Sequence, residues 1–137
     1  MPPIPPTTKA LMLICTAVYC LQYLLGASLP LDYWFGLWPF ASGRFMPWQM
    51  VTYAFLHGGV GHLFFNMLGL WMFGAEIELL WGRRRYLLFL FAAIVSAAVC
   101  QLLVTFLVGS LSPTVGISGG LYGLLLASAM LFPNRTI

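Results

Sequence analysis

Charge is almost missing from this chain, and that scarcity limits its fold more than any motif does. Six basic and three acidic side chains serve 137 residues, so 7% are charged while 61% are apolar. A water-soluble domain devotes about a quarter of its residues to charge. A chain this apolar cannot cover a water-facing surface, and the bilayer is its natural solvent. The expected architecture is all-α, a polytopic transmembrane helical bundle, integral and multi-pass in the membrane. The acids are Asp32, Glu76 and Glu78; the bases are Lys9, Arg44, Arg83, Arg84, Arg85 and Arg135. A net charge of +3, scattered along the sequence, leaves no footprint for nucleic acid. Cys15, Cys20 and Cys100 lie inside apolar runs without CxxC spacing. They read as small packing residues, not as a disulfide framework or a zinc site.

Four apolar segments are long enough to matter. The leader MPPIPPTT is too rich in proline to be helical throughout. Lys9 and the stretch 27–29 only faintly imitate a signal peptide, so 10–28 reads as a retained span of bilayer length. Residues 62–80 form a second span, closed by Gly82 and three arginines. A third covers 86–108. A fourth covers 118–132 and is closed by Pro133; its rise of about 22 Å falls short of the roughly 30 Å hydrocarbon core. A helix that starts below the membrane surface would account for the difference. Between the first two spans, residues 29–61 carry Trp34, Trp38, Phe40, Phe45, Trp48 and Tyr53. This segment is too polar and broken to cross simply and too apolar to be disordered; Trp and Tyr favour the headgroup level, so it reads as a long interfacial loop. With four spans, Lys9, Arg83–Arg85 and Arg135 share one side and only Arg44 lies on the other. The positive-inside rule then puts the N-terminus in the cytoplasm. It also gathers His57, His62, Asn66 and Ser118 at similar depth on the outer side.

Two polar clusters stand out against this background. The first is His57-Gly-Gly-Val-Gly-His62-Leu-Phe-Phe-Asn66. His62 and Asn66 are four residues apart and project from one helix face. Polar groups in a span are costly and face a partner or a water-filled cavity. Hydrogen bonding between helices explains them equally well; a metal site, with two histidines and no carboxylate or thiolate nearby, explains them poorly. The second cluster is Gly116-Ile-Ser118-Gly119-Gly120-Leu-Tyr122-Gly123. Helix packing accounts for Gly119 and Gly123 as a GxxxG pair. It does not account for Ser118 at the mouth of the helix, beside free backbone N–H groups at the positive end of the dipole, where an oxyanion would be stabilised. A plain N-cap serine competes with that reading.

Together the clusters resemble the rhomboid family of intramembrane serine proteases: His-x4-His-x3-Asn opens one span and Gly-x-Ser-Gly opens a later one. Gly74, Glu78 and Gly82 at the end of the second span, and Phe132-Pro133-Asn134-Arg135 after the fourth, match as well. The resemblance implies that Ser118 is the nucleophile. It implies that His62, Asn66 and the Ser118 amide line the oxyanion site and that His57 supports them. Gly116 would let substrate backbone approach, Gly119 belongs to the same motif, and Tyr122 shares the nucleophile's helix face. It further implies a transmembrane protein substrate, contact with membrane lipid, and neither cofactor nor metal. Two features depart from the pattern. The frequent Trp-Arg pair of the outer loop is Trp48-Gln49 here, which leaves the loop's anchoring open. The family's base is a histidine on a sixth span, whereas this sequence has four of the six spans and no histidine after His62. The expectation is a serine endopeptidase of membrane segments that is inactive as residues 1–137, or else a rhomboid-like pseudoprotease that binds membrane proteins without cutting them. A triad of Asp32, His62 and Ser118 is a remote alternative; Glu76 and Glu78 lie too far along the second span to take part.

Overall fold

The computed structural model describes residues 3–134. Arg135, included above in the charge balance and in the closing motif, lies outside them. Four long helices dominate: α1 (Pro6–Leu25), α2 (Val60–Trp81), α3 (Arg83–Val108) and α4 (Ser118–Leu131). The first three, with 20, 22 and 26 residues, are long and apolar enough to cross a membrane. Helix α4 has 14 residues, a rise of about 21 Å. The fold is therefore the helical membrane bundle that the scarcity of charge demands.

The helix ends follow local chemistry. Helix α1 begins at Pro6, inside the proline-rich leader, with Pro5 as its extended N-cap. Proline is tolerated in a first turn because its missing N–H would have no partner there. The helix consequently starts ahead of residue 10 and stops at Leu25, before 28. Gly82 alone separates α2 from α3, at φ 82°, a conformation that strains any residue with a Cβ.

Helices α3 and α4 form the tightest pair. Tyr86, Leu90, Ile94, Ala98 and Leu102 make a buried stripe along α3, and small residues of α4 meet it. A Cβ added to Gly123 would lie 2.7 Å from Ala93 Cβ; one on Gly120 would lie 2.8 Å from Leu90 Cδ1. A Cβ on Gly119 would collide with Ala97. The glycines thus set the helix separation. Gly123→Leu is expected to destabilise the bundle by about 1–3 kcal/mol, the usual cost of overpacking. Thermal unfolding in detergent measures this, and an unchanged midpoint would contradict the packing account. Of the three cysteines only Cys15 packs inside; Cys20 and Cys100 are exposed, as apolar positions on a lipid-facing surface can be.

The loop between α1 and α2 folds as short helical turns at Leu31–Phe35, Phe40–Ser42, Gln49–Thr52 and Tyr53–Phe55. Its anchor is Gln49, the residue that departs from the family's arginine. Gln49 is buried; its Oε1 accepts from Trp38 N and Met46 N at 3.2 and 3.1 Å, and its Nε2 donates to Arg44 O at 3.1 Å. One amide thereby ties three points of the loop together. The Arg44 guanidinium covers the Tyr33 and Trp38 rings at 5.1 and 5.0 Å.

At the opposite end of the bundle, α1 is fastened to α2. The buried Glu78 carboxylate accepts from Thr7 N at 2.9 Å, Thr8 N at 2.6 Å and Thr8 Oγ1 at 2.8 Å. It caps the first turn of α1 from another helix, satisfying N–H groups that would otherwise lack acceptors and placing negative charge at the positive end of the dipole. Midway along α2, Leu70–Gly74 widens into one π-helical turn.

Candidate active site

Ser118 reaches the site through a stitched connection. Leu37 and Thr114 exchange backbone hydrogen bonds at 2.9 Å in each direction, pinning the outer loop to the α3–α4 connection. Gly116 N then donates to Tyr53 O at 2.9 Å, while Tyr53 Oη donates to Ile94 O of α3 at 2.6 Å. Tyr53 therefore fixes the α4 entry relative to α3. Gly116 takes φ 112°, open only to glycine without strain. Ser118 is the first helical residue of α4; the cap position is Ile117, which makes no side-chain cap. The first-turn N–H groups, that of Ser118 among them, have no intrahelical acceptors.

The Ser118 hydroxyl is not spent on capping. It donates to Asn66 Oδ1 at 3.2 Å and lies 3.4 Å from His62 Nε2. Serine, histidine and asparagine from α4 and α2 thus meet at one point, 52 and 56 residues apart in sequence. His62 Nδ1 accepts from Gly58 N at 3.4 Å, which matches the tautomer with the ring proton on Nε2, on the side facing Ser118. Asn66 Nδ2 is buried and has no hydrogen-bond partner among the described residues. The serine oxygen is thus bordered by His62 Nε2 and by Asn66 Oδ1, whose amide carries the unpartnered Nδ2. Asn66, Gly69, Phe73, Ser118, Leu121 and Tyr122 line a cavity of about 210 Å³ beside it.

Other candidates sit differently from expectation. Gly116 makes room for the imidazole, since a Cβ there would lie 2.5 Å from His62 Cε1 and 2.8 Å from Nε2. Gly119 faces Ala97 and packs α4 on α3. Tyr122 is 72% exposed at the cavity rim, and no ring stacks on it among the described residues. His57 is buried, with its ring 5.1 Å from that of His62 and both ring nitrogens unpartnered. Burial, reinforced by the neighbouring His62, lowers its pKa to about 4, so His57 stays a neutral wall at physiological pH. Asp32 accepts from Gln22 Nε2 at 2.6 Å and makes no bond to His62 among the described residues. The Asp32 triad is therefore not assembled.

Gln22 is a polar neighbour of the candidate site that the sequence reading missed. Its amide holds the His57 backbone from both sides, accepting from His57 N at 3.0 Å and donating to His57 O at 2.9 Å. A lone polar residue near the end of an apolar span was the available signal.

A serine, a histidine and an asparagine meeting among apolar helices place the chain in the class of helical membrane proteins with a buried polar cluster. The rhomboid domain family matches residues 44–137, more than half of the chain. The chain belongs to the rhomboid family, whose members include intramembrane serine proteases. A rhomboid protease GlpG from Klebsiella pneumoniae is 40% identical over 74 residues, covering 53% of this chain and 26% of the relative. The GlpG of Serratia proteamaculans is 38% identical, and that of Yersinia pestis 32%, over the same extents. The matched segment thus spans about a quarter of the length of these relatives.

Proposed function

We propose that residues 1–137 supply the nucleophile and the oxyanion donors of an intramembrane serine endopeptidase that acts on transmembrane or juxtamembrane segments of membrane proteins. The single observation that carries the reading is the Ser118 Oγ held 3.2 Å from Asn66 and 3.4 Å from His62. Ser118 attacks the scissile carbonyl. The developing oxyanion takes hydrogen bonds from the Ser118 N–H, Asn66 Nδ2 and His62 Nε2. The orphan Asn66 donor supports this, because a buried amide N–H without a partner is costly unless it has a role. The proton on Ser118 needs an accepting imidazole. His62 is unsuited, since its proton already lies on the nitrogen nearest the serine. Both termini lie on the cytoplasmic side in this reading, and the site opens outward.

The second reading, a rhomboid-like pseudoprotease that binds membrane proteins without cutting them, is favoured by one observation: Ser118 Oγ donates to an amide oxygen and not to a base. Cleavage of a single-span substrate in proteoliposomes by the natural protein that carries this segment separates the two. Ser118→Ala is expected to abolish the product, and Asn66→Ala to lower kcat by roughly 10²–10³, as for removal of one oxyanion donor. Substrate retained but uncut by the unsubstituted protein would select the pseudoprotease.

A further inference from the structure

We propose that the groove between the N-terminal halves of α1 and α3 binds one anionic phospholipid, with its phosphate on Arg83 and an acyl chain between the helices. The groove holds about 330 Å³ and is walled by Ala10, Leu11 and Ile14 of α1 and by Arg83 and Leu87 of α3. That volume is within the range of small-molecule sites, about 300–1,000 Å³. Its polarity is ordered along the membrane normal. Both helices begin on the same side of the bundle, so Arg83 stands at the rim, while Ile14 and Leu87 lie a turn or more deeper. A charged rim above an apolar slot matches the head and tail of a lipid. It does not match a passing protein helix, which would present apolar surface to the arginine.

The sign of the charge follows from what Arg83 lacks. Among the described residues it makes no hydrogen bond or ion pair. Arg85 instead lies over the Trp81 ring at 4.9 Å. The Glu78 carboxylate, hydrogen-bonded by Thr7 and Thr8, is turned to the first turn of α1 and makes no ion pair with Arg83 among the described residues. No acid sits in the first turn of α3, so the helix dipole adds to the positive potential at the rim. An anionic headgroup neutralises it. Basic pockets between membrane helices take anionic headgroups for this reason.

The test is lipid retention, read by native mass spectrometry of the purified protein exchanged into detergent with equal phosphatidylglycerol and phosphatidylcholine. One phosphatidylglycerol is expected to remain bound in preference. Arg83→Gln is expected to weaken that retention roughly five-fold, the effect of about one basic contact near the headgroups. Arg84→Gln, outside the groove, leaves it unchanged. Ile14→Trp, which fills the slot and keeps every charge, is expected to weaken retention as well. Equal losses in Arg83→Gln and Arg84→Gln would overturn the proposal in favour of a diffuse field. So would equal retention of phosphatidylcholine, full retention in Ile14→Trp, or displacement of the lipid by millimolar inorganic phosphate.

Discussion

Residues 1–137, purified alone in detergent or proteoliposomes, are expected to leave a single-span membrane substrate uncut, and Ser118→Ala is expected to change nothing. The sequence contains two histidines, His57 and His62. Neither offers a lone pair to the Ser118 proton: His57 packs behind His62 with its ring nitrogens unpartnered, and His62 accepts from Gly58 through Nδ1. A serine hydroxyl without an adjacent base is a weak nucleophile. In serine hydrolases, loss of the base costs about 10⁶ in kcat. The measurement is product formation over many hours, with the alanine variant in parallel. Cleavage that disappears in Ser118→Ala would show that His62 can exchange its proton and act as the base after all.

Glu78→Ala is expected to be the most destabilising single change in the bundle, by about 3 kcal/mol or more. Removing the carboxylate strands two backbone donors and one hydroxyl, and hydrogen bonds to charged groups are worth about 1.5–3 kcal/mol each. The polar groups it leaves behind are buried: Thr8 is 0% exposed and Thr7 8%. Thermal unfolding in detergent reads the effect. Glu78→Gln is expected to recover part of the loss, since its amide oxygen still accepts. A midpoint within a degree of the unsubstituted protein would mean that water replaces the carboxylate without penalty.

The sequence made the bundle legible because hydrocarbon leaves a chain few options. Long apolar runs, punctuated at Gly82 and Gly109, mark helices without any need for tertiary knowledge. The meeting of Ser118 with His62 and Asn66 was also within reach, since the arginine placement puts both helix starts on one side and a spacing of four residues aligns the partners. What stayed hidden depends on contacts between distant residues. Glu78 and Thr8 are 70 positions apart, and nothing local in either residue announces the other. Gln49 in place of arginine left the loop's anchoring open, and an amide both donates and accepts, so it can bind several backbone points at once. Gly116 read as space for substrate; that its missing Cβ also leaves room for the His62 imidazole is visible only from the neighbour's position. The first span reads as starting later than α1 does for a simpler reason: proline obstructs a helix interior but suits its first turn, so α1 begins at Pro6 inside the leader.

The π-helical turn at Leu70–Gly74 makes α2 a spliced ruler with two scales. Above it, Asn66 is indexed to Ser118; below it, Glu78 is indexed to Thr8. An ordinary helix advances about 100° per residue and a π turn about 80°, so rewinding these five residues as ordinary helix, with none removed, would rotate one scale against the other by about 90°. One alignment could then be kept only by giving up the other. Deleting one residue as the winding tightens would bring both scales nearly back into register, so a substitution that forces ordinary winding at full length is the more damaging change.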